Sequence, residues 1–210
     1  MLVGIHEDLE TRRVSDGAPV NGGAMKLGML VLLVALVAAP ACGGGGGGSD
    51  SGVGGSPGPV AAGFIADQPS PGASTVAMLQ ATKSNDVVNV YVTLTGTSGV
   101  FGVAFDAIFD PAQATYLGFT KGAAMEAGGN VPNYTIDGSS NPGRIVVGVA
   151  RTNGTATDIT TTKAILTLQF RVKQPGTNQV TLENGVVVDA QSTPQPIPNM
   201  LWYAGALTGV

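Results

Sequence analysis

The distribution of apolar and polar positions divides the chain near residue 60. Beyond that point apolar residues recur at every second position in short runs, the period of a strand with one buried face. Residues 75–82 form the first run, and Ser84-Asn85-Asp86 turns it into residues 87–95, where Val88, Val90, Val92 and Leu94 share a face. Gly96-Thr97-Ser98-Gly99 reads as a loop into residues 100–109. There Phe101, Val103, Phe105, Ala107 and Phe109 lie on one side, with Gly102, Ala104, Asp106 and Ile108 on the other. Asp110-Pro111 stops that strand, because proline lacks an amide donor and restricts the residue before it. Further strands are predicted over 115–120, 134–137, 144–151, 164–173, 179–183, 185–190 and 202–207. Residues 122–130 read as a loop or one helical turn, and the threonine-rich stretch through Thr162 as a solvated connection. The clearest alternation sets Ala164, Leu166, Leu168, Phe170 and Val172 against Ile165, Thr167, Gln169, Arg171 and Lys173. Short strands, Gly/Pro/Asn turns and the lack of a long 3.6-residue period predict an all-β, two-sheet sandwich over residues 60–210. A domain of roughly 150 residues buries a sizeable core without disulfides.

The pattern before residue 60 is different. Met25-Lys26, an apolar stretch over 27–37 and the small residues that follow predict a secretory signal peptide over residues 25–41. The apolar stretch is shorter than the ~20 residues that cross a bilayer. Ala39-Pro40-Ala41-Cys42 resembles the lipobox of bacterial lipoproteins, without the usual Leu three residues before the Cys. The resemblance implies that Cys42 becomes a lipid-modified N-terminus. Gly43, where inner-membrane retention signals carry Asp, implies the outer membrane or cell surface. Residues 1–24 are polar, acidic and aperiodic, and read as a non-native or disordered extension with Met25 as the start. Residues 42–59 open with glycines from Gly43 to Gly48 and read as a disordered linker from the lipid anchor, with a reach of roughly 20–25 Å.

Composition removes whole classes of function. Charged residues are 11%, with 32 glycines and 13 prolines, which excludes a coiled coil. A net charge of −4, with no basic cluster beyond Arg12-Arg13, excludes non-specific nucleic-acid binding. His6 and Cys42 are the only histidine and cysteine, and both precede the predicted sandwich. It therefore has no His/Cys zinc site, no disulfide and no Ser-His-Asp or Cys-His machinery. Asp106, Asp110, Glu126, Asp137, Asp158 and Asp189 show no local spacing that pairs two carboxylates for glycoside hydrolysis. Most sit beside turn residues, where Asp accepts from backbone amides. Asn130, Asn133 and Asp137 could offer oxygen to calcium but do not follow the EF-hand spacing. No enzyme, metal or cofactor is expected. Aromatic residues are only 5%, and Trp202 with Tyr203 is the best candidate for stacking on a sugar, against core packing or closure of a sheet edge.

Residues 100–111, Val-Phe-Gly-Val-Ala-Phe-Asp-Ala-Ile-Phe-Asp-Pro, resemble the strand of a cohesin domain that closes in aromatic-Asp-Pro. Ala114 to Phe119, Gly143 to Arg151, Ala164 to Lys173 with Pro175-Gly176-Thr177, and Val186 to Ala190 are similar to later segments of that family, in the same order. The resemblance covers residues 75–192 and implies a jelly-roll sandwich of about nine strands. It further implies a non-catalytic module that docks a dockerin, a small calcium-loaded helical module on secreted polysaccharide-degrading enzymes. The implied contact positions are Gly102, Ala104 and Asp106 on the third strand, and Arg151 and Thr152 at the end of the sixth. Cellulosomal cohesins often carry Asn and Asp where Gly102 and Ala104 stand. Two alternatives remain: a carbohydrate-binding module on the same sandwich, with a polysaccharide as partner, and a structural or adhesion domain of the cell envelope.

Overall fold

A computed structural model describes residues 60–210; the expected signal peptide, Cys42 and the expected glycine linker lie outside the described residues. In chain order the strands are β1 (Ala62–Ala66), β2 (Thr75–Ser84), β3 (Val87–Thr95), β4 (Thr97–Val100), β5 (Gly102–Ile108), β6 (Ala114–Lys121) and β7 (Asn133–Asp137). They continue as β8 (Arg144–Ala150), β9 (Thr157–Ile159), β10 (Lys163–Val172), β11 (Gly176–Val188), β12 (Leu201–Tyr203) and β13 (Gly205–Gly209). Two 3-10 turns, Ala123–Met125 and Ala127–Gly129, are the only helical pieces among the described residues.

The strands form a six-stranded sheet in the order β1-β13-β11-β5-β8-β7 and a five-stranded sheet in the order β12-β2-β3-β10-β6, with a small β4-β9 ribbon. Neighbours pair antiparallel except β12, which runs parallel to β2. The interior is what the alternation predicts. Val88, Val90, Val92 and Leu94 of β3 are fully buried, as are Leu166, Leu168 and Phe170 of β10. Val103, Phe105 and Ala107 of β5 and Ile145, Val147 and Val149 of β8 meet them from the other sheet. Phe109 packs edge-on against Phe170, with ring centroids 5.4 Å apart, and joins the layers at one end. The result is a jelly-roll sandwich.

The strand count exceeds nine because short pieces act as strands. The predicted loop at Gly96–Gly99 contributes β4, the threonine-rich connection contributes β9, and residues 62–66 add an edge strand on β13. Bulges explain the other departures. The predicted strands on either side of Asn184-Gly185 are one strand, β11, whose register shifts between Glu183 and Val186. Another shift between Ala164 and Leu166 in β10 turns Ile165 inward, so Ile165 and Leu166 are both fully buried.

Candidate functional site

The outward face of the six-stranded sheet carries a shallow trough, built by two rows of residues across four strands. In the first row Val186 of β11, Ala104 of β5, Gly148 of β8 and Thr135 of β7 stand side by side. In the second the sequence is Val188, Gly102, Ala150 and Asn133. Each row has a valine at one end, two residues of minimal size in the middle and a polar residue at the far end. Outward side chains on a sheet normally cover it; here the middle is bare, leaving a hollow of about 250 Å³ over Gly102, Ala104, Gly148 and Ala150. The two glycines differ in kind. A Cβ on Gly102 would lie 3.1 Å from Val188 Cγ2 and 3.3 Å from the Val149 carbonyl oxygen, so bulk is excluded there. A Cβ on Gly148 would have only ordinary contacts with Thr135 at 3.8 Å.

The next row closes one end with charge. Asp106 lies between Glu183 and Val146 in register. Its Oδ2 accepts from Asn184 Nδ2 and from Arg144 Nη2, each at 2.6 Å. Asn184 reaches it because the β11 bulge holds its backbone in the left-handed region, at φ 52°. The Asn184 hydrogen bond first, and the Arg144 hydrogen bond second, hold the Asp106 carboxyl below the ordinary value of 3.8, against the opposing effect of burial. Asp106 is 4% exposed. Asp106, expected on the partner face, is buried and paired with Arg144 at the trough's end.

The pair expected at the end of β8 also divides. Arg151 is 4% exposed, and its guanidinium donates to three carbonyls: Thr155 from Nε at 2.7 Å, Met125 from Nη1 at 2.8 Å and Ala127 from Nη2 at 2.8 Å. It fixes both 3-10 turns and the loop after β8, and offers a partner nothing. Thr152 stays exposed, but its Oγ1 donates to the Val131 carbonyl at 2.9 Å. Asn130 is the hub beneath it, accepting from the Thr152 amide at 3.0 Å and donating to the Met125 carbonyl at 3.0 Å.

The remaining predicted groups do not converge. Asn133 lines the trough, whereas Asp137, four residues along β7 and so roughly 13 Å away, accepts from the amides of Ser139 and Ser140 at 3.0 Å each. Those turn hydrogen bonds, the Ser140 ones foremost, lower its pKa to about 2. Asn130, Asn133 and Asp137 thus form no common oxygen site. Among the described residues no three His, Cys, Asp or Glu side chains cluster as metal ligands. Asp158 of β9 accepts from the Gly99 amide of β4 at 2.8 Å, tying the small ribbon together, and Asp189 accepts from the Gln195 amide at 2.9 Å within its own loop. Trp202 is half-buried, packed on the core with its ring 6.1 Å from Phe105 and lying over Gly185, where a Cβ would come within 2.5 Å of it. The ring fills the gap that the β11 bulge opens, the core-packing role weighed against sugar stacking. Tyr203 is half-buried beside it on β12.

Gly148, Ala150, Val186, Val188, Asn133 and Thr135 escape a reading of single strands. The alternation of β8 does place Gly148 and Ala150 opposite the buried Ile145, Val147 and Val149. That they adjoin Gly102 and Ala104 follows only from strand order.

The fold is a two-sheet jelly roll with a shallow trough on one outward face. The family model of the cohesin domain matches residues 72–206, and the chain belongs to that family. Among solved structures it is similar to a type II cohesin domain from the cellulosome of Acetivibrio cellulolyticus, at 13% identity over 71% of this chain and 95% of that one, with a TM-score of 0.51. It is also similar to the type II cohesin dyad from the adaptor ScaA scaffoldin of the same organism, at 10% identity over 66% of this chain and 48% of that one, with a TM-score of 0.52. A non-cellulosomal cohesin from the archaeon Archaeoglobus fulgidus aligns at 13% identity over 69% of this chain and 88% of that one, with a TM-score of 0.44. These likenesses are of fold. No curated protein matches the chain.

Proposed function

We propose that the chain is a membrane-anchored, non-catalytic cohesin module that docks a secreted dockerin-like protein, in polysaccharide degradation or surface assembly. The observation that carries this reading is the trough: a bare floor of Gly102, Ala104, Gly148 and Ala150 between valine walls and Asn133 and Thr135. Such a floor suits a protruding apolar side chain, the kind of anchor that dominates protein interfaces. Its lack of polar groups sets it apart from the Asn and Asp that the family resemblance leads one to expect, so the partner's contact is apolar at its centre. Lipid on Cys42 holds the module at the envelope, on the outer membrane or cell surface, and residues 43–59 give it reach.

Immobilised chain should capture a protein from the secretome of the source organism and release it to a calcium chelator, since the resemblance implies a calcium-loaded partner. Filling the floor with Gly148→Leu should abolish the capture. A blank capture at micromolar bait, or one that Gly148→Leu leaves intact, would refute docking on this face. Cys42→Ser should move the protein from the membrane fraction to the soluble one; unchanged detergent-dependent partitioning would remove the anchor.

A further inference from the structure

The opposite outward face, on the five-stranded sheet, has a groove of different chemistry. Two rows again cross it. Thr120 of β6, Thr167 of β10, Tyr91 of β3 and Leu79 of β2 form one, and Gly118, Gln169 and Asn89 form the other, ending at the β2 bulge that holds Ala81 and Thr82. Two adjoining hollows of about 150 and 260 Å³ share Asn89, Thr120, Thr167 and Gln169. Gly118 opens the groove at its β6 edge: its backbone sits at φ 141°, and the place a Cβ would occupy is open space.

The residues shared by the two hollows are polar and uncharged, while Leu117 and Phe119 line the β6 end of the groove. Gln169 Nε2 donates to Asn89 Oδ1 at 3.1 Å, and Asn89 Nδ2 donates on to Thr82 Oγ1 at 2.8 Å. This amide chain fixes both side chains, and Tyr91, Thr120 and Thr167 line the groove beside them. Charge stays at the margin, where Arg171 is paired with Asp86 at 3.1 Å. Tyr91 is 41% exposed, an aromatic surface beside the hydroxyls and amides at the centre of the groove.

We propose that this groove binds a neutral oligosaccharide, with Tyr91 stacking on a sugar ring and Gln169, Asn89, Thr120 and Thr167 hydrogen-bonding its hydroxyls. A sugar needs what this lining supplies. Its C–H face wants an aromatic surface, and its hydroxyls want donors and acceptors that do not demand opposite charge. A protein partner would call for an apolar centre, which the trough has and the groove lacks. The three inter-strand steps span roughly 14 Å, so the ligand is a short stretch of a chain and not a single ring. The site is independent of docking on the trough: the two faces belong to different sheets.

The test is calorimetric titration of the full chain with neutral hexasaccharides of β-1,4-linked glucose, xylose, mannose and N-acetylglucosamine, beside hexagalacturonate as a charged comparator. At least one neutral hexasaccharide should bind more tightly than the charged one. Tyr91→Ala and Gln169→Ala should each weaken it at least tenfold, and Thr167→Lys, which fills the groove from the centre, should abolish it. Gly148→Leu on the other face should leave it unchanged. The proposal is overturned if no neutral sugar binds at millimolar concentration, if the charged sugar binds best, or if binding survives Tyr91→Ala and Thr167→Lys in variants that retain the parent's melting temperature. Loss of protein capture through Tyr91→Ala, with no sugar bound, would equally overturn it and give the face to a protein.

Discussion

Along β5 and β8 the outward residues shrink to Gly102, Ala104, Gly148 and Ala150, whereas on β3 and β10 they are Asn89, Tyr91, Thr167 and Gln169. Both faces come from the same alternation on strands of similar length, and both cover a continuous apolar core. The difference lies in what each outward row leaves to a ligand. Stripping side chains from the first face exposes the backbone and β-carbons, a smooth apolar floor that rewards a partner's bulk. Hydroxyls and amides on the second leave directional groups that water already satisfies, so only a ligand with matching hydroxyls displaces that water without loss. A sandwich can thus present two binding chemistries without any change to its interior.

The largest test of the comparison removes a residue that belongs to neither face. Arg151→Ala strips three charge-assisted hydrogen bonds and leaves the carbonyls of Met125, Ala127 and Thr155 without them. A loss of about 3 kcal/mol is expected, a fall in melting temperature of roughly 6–12 °C. Protein capture by the folded fraction should persist. A variant that keeps its stability and loses capture would return Arg151 to the docking surface, and the division between scaffold and trough would be wrong.

Gly148→Leu is the next test, because its backbone accepts a Cβ and the added bulk lands on the floor. A loss of binding of about 30-fold or more is expected, the scale of a blocked hot spot, with melting temperature within a few degrees of the parent's. Tyr91→Ala in parallel should leave capture intact. If the two variants had the same effect on capture, the faces would not be separate sites.

These tests depend on features that the linear pattern carries unevenly. Inside and outside are legible for β3, β5 and β8, since burying one face of a strand leaves a trace of period two. The family resemblance follows from such strands and the Asp-Pro that ends one of them. Asn184-Gly185 reads as a break between strands, yet it is a bulge inside one, and the bulge is what brings Asn184 onto Asp106 and Trp202 against the core. Arg151 looks like an exposed charge because its partners are backbone carbonyls, two of them in turns more than twenty residues away, which leave no mark in side-chain patterns. The trough is illegible for a similar reason. Two of its four middle residues lie on β5, the other two come from β8, and nothing local announces that the strands are neighbours.

Asp106→Asn separates the trough's charged end from its floor, with the smallest effect of the three. The amide still offers one acceptor to Arg144 or Asn184, so only the charge-assisted part is lost, about 1–2 kcal/mol at neutral pH. The pH dependence identifies the cause. The folded pKa of Asp106 lies below its ordinary value of 3.8, so the folded state holds the carboxylate more tightly than the unfolded chain does. Its contribution is fully present above that ordinary value and disappears as pH falls through the lower, folded one. Urea unfolding should therefore show a constant gap between parent and variant from pH 7 to about 5, narrowing below pH ~4. Asp137, lowered to about 2 by its own turn, weakens both proteins over the same acid range and cancels in the difference. A gap that stays constant down to pH ~2 would mean that shape rather than charge ties Asp106 to Arg144 and Asn184. Undiminished capture by the variant at neutral pH would leave the apolar floor as the part of this face that a partner reads.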